Sequence, residues 1–231
     1  MKIFIIPHAG GISSSYMRYR LIFKEKYDVI LIELAGRGGK SKIPFYVDLD
    51  EAAQMISKEI EESIHVEEEY IILGHSMGAW IAYEVYYKLL EKGVNMPITM
   101  IFSGNEPPTE VKEDDKICHL SDDLFIQKIV RLGGTSKELF ENQMFRQLFL
   151  PILRGDYTVI ESYVPKERMA KIDRDIIVMG GKADKELTDK LELWSDYTSG
   201  RCFVKYFEGD HFYLFQKEKE IYALISTIVK P

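Results

Sequence analysis

Short continuous apolar runs recur along the chain, each closed by glycine, proline or a polar turn. They fall at residues 3–6, 29–32, 70–73, 98–102, 175–181 and 202–207. Such runs are what strands buried on both faces require. Between them the apolar spacing lengthens to three and four, the period of helices packed on one side. Ser13, Ser14 and Ser15 are placed to cap a helix through Tyr16, Leu21 and Phe23, and Asp48 or Asp50 a helix carrying Ala52, Met55, Ile56 and Ile60. A third helix is predicted over 77–91 and ends at Gly93, a fourth carries Leu187, Leu191 and Trp194, and a last one runs from about Phe212 to Val229. Strands alternating with helices imply an α/β fold, a mostly parallel sheet flanked by helices, whose sites form beyond the carboxyl ends of the strands.

Residues 107–165 break this rhythm. Leu124, Ile126, Ile129, Val130 and Leu132 fit one helix, and Phe140, Met144, Leu148, Phe149, Ile152 and Leu153 a second, interrupted at Pro151. The expectation is a single domain over 1–231 with a helical lid inserted at about 107–165. Phe140, Met144, Phe145, Leu148, Phe149 and Ile152 are expected to form mainly the insertion's own core, with about two of them reaching a substrate.

Composition narrows the class. With 231 residues, 46% hydrophobic and 29% charged, the chain fits one soluble domain. Its net charge of -7 argues against a general nucleic-acid binder. Cys118 and Cys202 have no metal or redox spacing, and the chain has no H-x-x-x-H pair, so no metal is expected. Neither a membrane-length apolar run nor a signal-like start is present, so the expected address is the cytoplasm.

The chemistry concentrates at Gly74-His75-Ser76-Met77-Gly78. A buried strand, G-x-S-x-G and the first turn of a helix make a nucleophile elbow, which exposes a serine hydroxyl on a tight turn. The glycines are expected where a Cβ would collide or where φ/ψ is unusual. A serine needs a base within hydrogen-bond reach. Of five histidines, His75 sits beside the serine and points away, His65 and His119 lie in polar surroundings, and His8 lines the first strand's loop. His211, in the loop after the last strand, stands where the chain order Ser, Asp/Glu, His wants the base. Asp184 follows the preceding strand and is the favoured acid, with Glu106 as its rival; Asp210 adjoins His211 too closely, and Asp189 belongs to the next helix. Two N–H donors are needed for the oxyanion. Met77 supplies one, and Ala9 or Gly10, after the first strand, the other.

With these residues placed, the chain resembles the type II thioesterases of nonribosomal peptide and polyketide synthesis. The likeness rests on Pro7-His8-Ala9-Gly10-Gly11, Leu34-Ala35-Gly36-Arg37-Gly38, the elbow, Ser103-Gly104-Asn105-Glu106-Pro107-Pro108, Arg131-Leu132-Gly133-Gly134, Leu150-Pro151-Ile152-Leu153-Arg154-Gly155-Asp156, Gly180-Gly181-Lys182-Ala183-Asp184 and Gly209-Asp210-His211-Phe212. It departs where Ala35 replaces a common proline. The resemblance implies an α/β-hydrolase with Ser76 as nucleophile, Asp184 as acid, His211 as base, and Met77 and Ala9 as oxyanion donors. It also implies hydrolysis of acyl groups on the phosphopantetheine arm of acyl- or peptidyl-carrier proteins; a monomer without a cofactor of its own is expected, and the alternatives are a carboxylesterase or acyl-CoA thioesterase acting on free small substrates, or a non-catalytic binding protein of the same fold. Arg18, Arg20, Lys24 and Lys26, or Lys166, Arg168 and Lys171, are candidate carrier contacts, and Arg37 an anchor for its own loop.

Overall fold

A computed structural model describes residues 1–133, 135–185, 187 and 189–229; Gly134 of the Arg131–Gly134 stretch and the last two residues lie outside it. All six expected strands form: β1 (Lys2–Ile6), β2 (Asp28–Leu31), β3 (Tyr70–His75), β4 (Thr99–Ser103), β5 (Ile176–Gly181) and β6 (Cys202–Phe207). They make one parallel sheet in the order β2-β1-β3-β4-β5-β6. Successive side chains of a strand face opposite sides; both sides of β1, β3, β4 and β5 are covered, whereas the edge strands β2 and β6 are largely half-buried and expose Asp28 and Lys205, short of the two-sided burial expected of them. Phe4, Ile6, Ile72, Met100, Phe102 and Val178 pack on one face with α2 (Leu49–Ser63) and α3 (Met77–Lys92). Ile3, Ile5, Leu73, Ile101 and Met179 pack on the other with α1 (Met17–Phe23) and α7 (Glu218–Ile228). The continuous apolar runs are the mark of this two-sided burial.

Strand order reverses between β1 and β3, because β1 leads to β2 on one side and the chain then returns to β3 on the other. Ligand sites of such sheets lie at this reversal, beyond the strand ends. The loop at His8 and the turn at Ser76 both sit there.

Between β4 and β5 the chain forms α4 (Asp122–Leu132), α5 (Lys137–Glu141) and α6 (Gln143–Glu161) around a separate core that includes Ile117, Phe125, Ile129, Phe140 and Leu153. Pro151 lies inside α6 and does not end it. A proline removes one N–H from the helix ladder, and the turns on either side carry the helix through.

Several local expectations are corrected. Ser13 does not cap a helix: its N–H and hydroxyl both donate to the Glu33 carboxylate (3.0 and 2.8 Å), and residues Ser13–Tyr16 form a 3-10 turn ahead of α1. Asp48 does cap α2, accepting from the Glu51 N–H at 2.8 Å, while Glu51 accepts from the Val47 N–H at 2.7 Å. The segment Leu191–Tyr197 is a 3-10 helix that excludes Leu187. Leu191, Trp194 and Tyr197 recur every third residue, which puts them on one face of a 3-10 helix rather than an α-helix. Trp194 stacks on Phe102 at 3.9 Å between ring centres. The last helix begins at Glu218, after a separate 3-10 turn at Tyr213–Phe215.

Candidate active site

Ser76 sits at φ 55° and ψ −121°, a conformation rare for a residue with a Cβ. The turn is held by the Ser76 N–H donating to the Ser103 carbonyl at 2.7 Å, and by the Ser76 carbonyl accepting from Ala79 N–H at 2.8 Å and from Asn105 Nδ2 at 3.2 Å. The flanking glycines are needed for space alone, since neither has positive φ. A Cβ on Gly74 would stand 2.0 Å from the Gly78 carbonyl oxygen, and one on Gly78 would stand 2.3 Å from that of Ile6.

His211 and Asp184 meet directly. The imidazole Nδ1 lies 2.7 Å from Asp184 Oδ2, with the carboxylate buried and the ring about a quarter exposed (side-chain exposures 7% and 25%). Close approach of their two loops depends on Gly181, where a Cβ would be 2.1 Å from the Asp210 carbonyl oxygen. The Ala183 N–H then donates to the Gly209 carbonyl at 2.9 Å. The rival acid is engaged elsewhere: Glu106 Oε1 accepts from Lys190 Nζ at 2.8 Å. Asp210 accepts from the Phe212 N–H at 2.9 Å and so braces its own turn. Asp189 stands at φ 61° in the turn before the 3-10 helix.

On the first strand's loop, the N–H groups of Ala9 and Gly10 are engaged differently. The Gly10 N–H already donates to Asp156 Oδ2 at 2.6 Å. No hydrogen bond among the described residues takes up the N–H of Ala9 or of Met77. Asp156, on α6, is buried and paired with both terminal nitrogens of Arg37, whose remaining donors reach the carbonyls of Gly11 (3.1 Å) and Ala35 (3.2 Å). Arg37 thus anchors its own loop, the Gly10 loop and α6 together. Phe149 and Leu153 of α6 also lie against Gly10: a Cβ there would be 3.2 Å from the Phe149 ring and 2.7 Å from Leu153.

The remaining histidines divide as follows. His65 and His119 are exposed. His8 is half-buried, with Nδ1 2.7 Å from the Tyr16 hydroxyl. Burial, followed by the charges of His211 and Arg37, lowers its pKa to about 3, so it stays neutral in working solutions. His75 is wholly buried, and its ring centre lies 5.1 Å from that of His211, a contact that reasoning from adjacency in the chain missed.

The candidate carrier contacts are largely committed to the fold. Lys166 pairs with Asp50, and Arg168 with buried Glu84 while lying 4.2 Å from the Tyr87 ring centre. Arg18 pairs with Glu218 at 3.2 Å. Lys24 and Lys26 precede the amino end of β2, and Ser76 follows the carboxyl end of a parallel strand, so they lie at opposite ends of the sheet. Of the expected lid residues, Met144 and Leu148 are exposed (71% and 67%), whereas Phe140 is buried and Phe145 and Phe149 are half-buried.

This arrangement has a strained serine, an oriented His–Asp pair and two open N–H donors at one sheet end. The family model described as thioesterase domain matches residues 1–230. The chain belongs to the thioesterase family. It is 30% identical to the gramicidin S biosynthesis protein GrsT of Aneurinibacillus migulanus, over 96% of this chain and 86% of that protein. Its fold matches the crystal structure of ClbQ from the colibactin NRPS/PKS pathway with a TM-score of 0.90 and 26% identity, covering 98% and 95% of the two chains. YbtT, a type II thioesterase from the yersiniabactin NRPS/PKS pathway, matches with a TM-score of 0.88 and 27% identity, covering 98% and 91%. The thioesterase described here is therefore a thioester hydrolase on the α/β-hydrolase fold, similar to type II thioesterases. No helix among its described residues is long and apolar enough to cross a membrane.

Proposed function

We propose that this thioesterase cleaves acyl or aminoacyl thioesters from the phosphopantetheine arm of carrier proteins, through an acyl-Ser76 intermediate. His211 takes the Ser76 proton as the hydroxyl oxygen attacks the thioester carbonyl carbon. Asp184 holds the imidazole with its Nε2 free and stabilises the imidazolium that forms. The oxyanion is received by the N–H groups of Ala9 and Met77. Collapse of the tetrahedral intermediate expels pantetheine as a thiolate, whose conjugate thiol has a pKa of about 8.5, and the thiolate takes up the proton held by His211, leaving the imidazole neutral. Water, deprotonated by the neutral His211, then attacks the acyl-serine, and collapse of this second intermediate breaks the bond to Ser76, whose oxygen takes the proton back from His211 as the acid is released.

The observation that carries this reading is the buried Asp184 carboxylate 2.7 Å from His211 Nδ1, on loops that close over the elbow end of the sheet. The carrier-bound substrate is supported by the pathways named for GrsT, ClbQ and YbtT. In this reading the insertion is a lid, with Phe149 and Leu153 over the oxyanion loop, and the chain works as a cytoplasmic monomer. The phosphopantetheine arrives on the partner, and the chain itself carries no cofactor.

Mass spectrometry of a panel of acyl-loaded carrier proteins tests the substrate. Release of acyl groups by the native chain, and none by Ser76→Ala, is the expected result. Efficient hydrolysis of acyl-CoA or small esters with loaded carriers left intact would reassign it to free substrates.

A further inference from the structure

As general base under the proposed function, His211 must aim its Nε2 at Ser76. The Asp184 hydrogen bond fixes a single ring atom, Nδ1. The ring is tied covalently only through Cβ, and rotation about the Cα–Cβ and Cβ–Cγ bonds decides where its other nitrogen points. Packing against the ring must restrain that rotation.

His75 does so. Its ring centre lies 5.1 Å from that of His211 with the planes inclined by 38°, while Phe212 meets His211 edge-on at 5.0 Å. His75 is itself clamped. Its Nδ1 is 3.0 Å from Ser103 Oγ, and that hydroxyl is 2.7 Å from the Tyr213 hydroxyl. Tyr213 lies two residues beyond His211, so the contacts run from the His211 loop through Ser103 and His75 back to the His211 ring. Gly104 leaves the room for this, since a Cβ there would be 2.5 Å from His75 and 3.5 Å from His211. The other nitrogen of His75, Nε2, is buried and has no hydrogen-bond partner among the described residues. Burying a polar atom unpaired costs stability, and the contact of Nδ1 with Ser103 is what an apolar ring at this position would lack.

We propose that His75 is a positioning residue for the reaction: a clamped aromatic platform that sets the plane of the His211 imidazole toward Ser76. The arrangement makes the elbow do two jobs, since the turn that presents the nucleophile also carries, one residue earlier, the surface that aims its base. Burial keeps His75 neutral, its pKa held well below the ordinary histidine value, so no second cation faces His211 when it takes the proton.

The test compares His75→Ala, which removes platform and clamp, with His75→Phe, which keeps a ring. Rates are normalised to folded protein. A misaimed reacting group costs up to about 100-fold in rate. His75→Ala is expected to lower kcat by about 30-fold with KM within about twofold, and to broaden the downfield proton resonance of the His211–Asp184 hydrogen bond. His75→Phe is expected to recover kcat to within about fivefold of the native chain. A folded His75→Ala with native kcat overturns the proposal, as does a His75→Phe no better than alanine. If alanine does not fold, Ser103→Ala carries the test: kcat lowered about fivefold at unchanged KM supports the clamp, and unchanged kcat overturns it. His211→Ala with native activity would instead overturn the base assignment beneath it.

Discussion

The helices α3 and α6 are held in contrasting ways. Almost every face of α3 is buried from Met77 to Leu89, and its start is fixed by backbone contacts so tight that Gly74 and Gly78 admit no side chain. The second half of α6 is fastened by polar ties: Asp156 to Arg37, Arg154 to Asp122 and the Cys118 and Leu120 carbonyls, and Glu161 to the N–H groups of Ile117 and Cys118. Its first half, before Pro151, exposes Met144 and Leu148. The difference teaches where accuracy is built in. The proposed reacting groups sit on the body, where burial and sheet register fix positions, and α6 meets the Gly10 loop on both sides of Pro151, through Phe149 and through Leu153 and Asp156.

The widest contrast is expected in rate. Asp184→Asn should cost several hundredfold or more, up to about 10⁴-fold, in kcat, the scale set by loss of the orienting carboxylate of a triad. Glu106→Gln should change kcat by less than about threefold, because its carboxylate serves Lys190. Steady-state kinetics on one acyl-carrier substrate checks both, and equal losses would break the assignment of the body's loops.

The joint between body and insertion comes next. Asp156→Ala leaves the Arg37 guanidinium buried without its partner, and breaking such a pair costs about 3–5 kcal/mol. Chemical denaturation reads this as a lower midpoint, and a loss under about 1 kcal/mol would mean the tie is not structural.

How much of this was readable in the chain follows the same division. The strands were legible because burial on both faces leaves unbroken apolar runs such as Ile71-Ile72-Leu73, and the elbow because Gly74 and Gly78 have no substitutes. Asp184 and His211 were reachable from chain order. Asp156 was visible only as part of a resemblance, since nothing local marks a carboxylate whose partners lie 119 and 146 residues away. The role of His75 was hidden for the same reason: a side chain pointing away from Ser76 meets His211 only through the loop after β6. Pro151 misled because helix rules act on one N–H, whereas the packing of Leu150 and Leu153 carries α6 across it.

Within α6 itself, Leu153→Ala should cost about 2–4 kcal/mol as a buried truncation, and Leu148→Ala less than about 0.5 kcal/mol. Similar losses at both would show that the first half is packed in solution. Acidification probes the body more gently. His75 is neutral when folded, its pKa lowered by burial, and titrates near 6.5 when unfolded. Its contribution is complete above about pH 6.5 and declines as pH falls, by up to about 1.4 kcal/mol per pH unit. His8, with a pKa of about 3, acts in the same direction. Denaturation between pH 7 and 5 should therefore show falling stability, and His75→Phe a shallower fall.

The most direct test of the central claim is the mass of the enzyme quenched during turnover of an acyl-loaded carrier, followed by peptide mapping. The account predicts one added acyl group, on the peptide containing Ser76, and none in Ser76→Ala. Acid release with no acyl-enzyme detectable in Asp184→Asn or the native chain, or an acyl group on another residue, would contradict it.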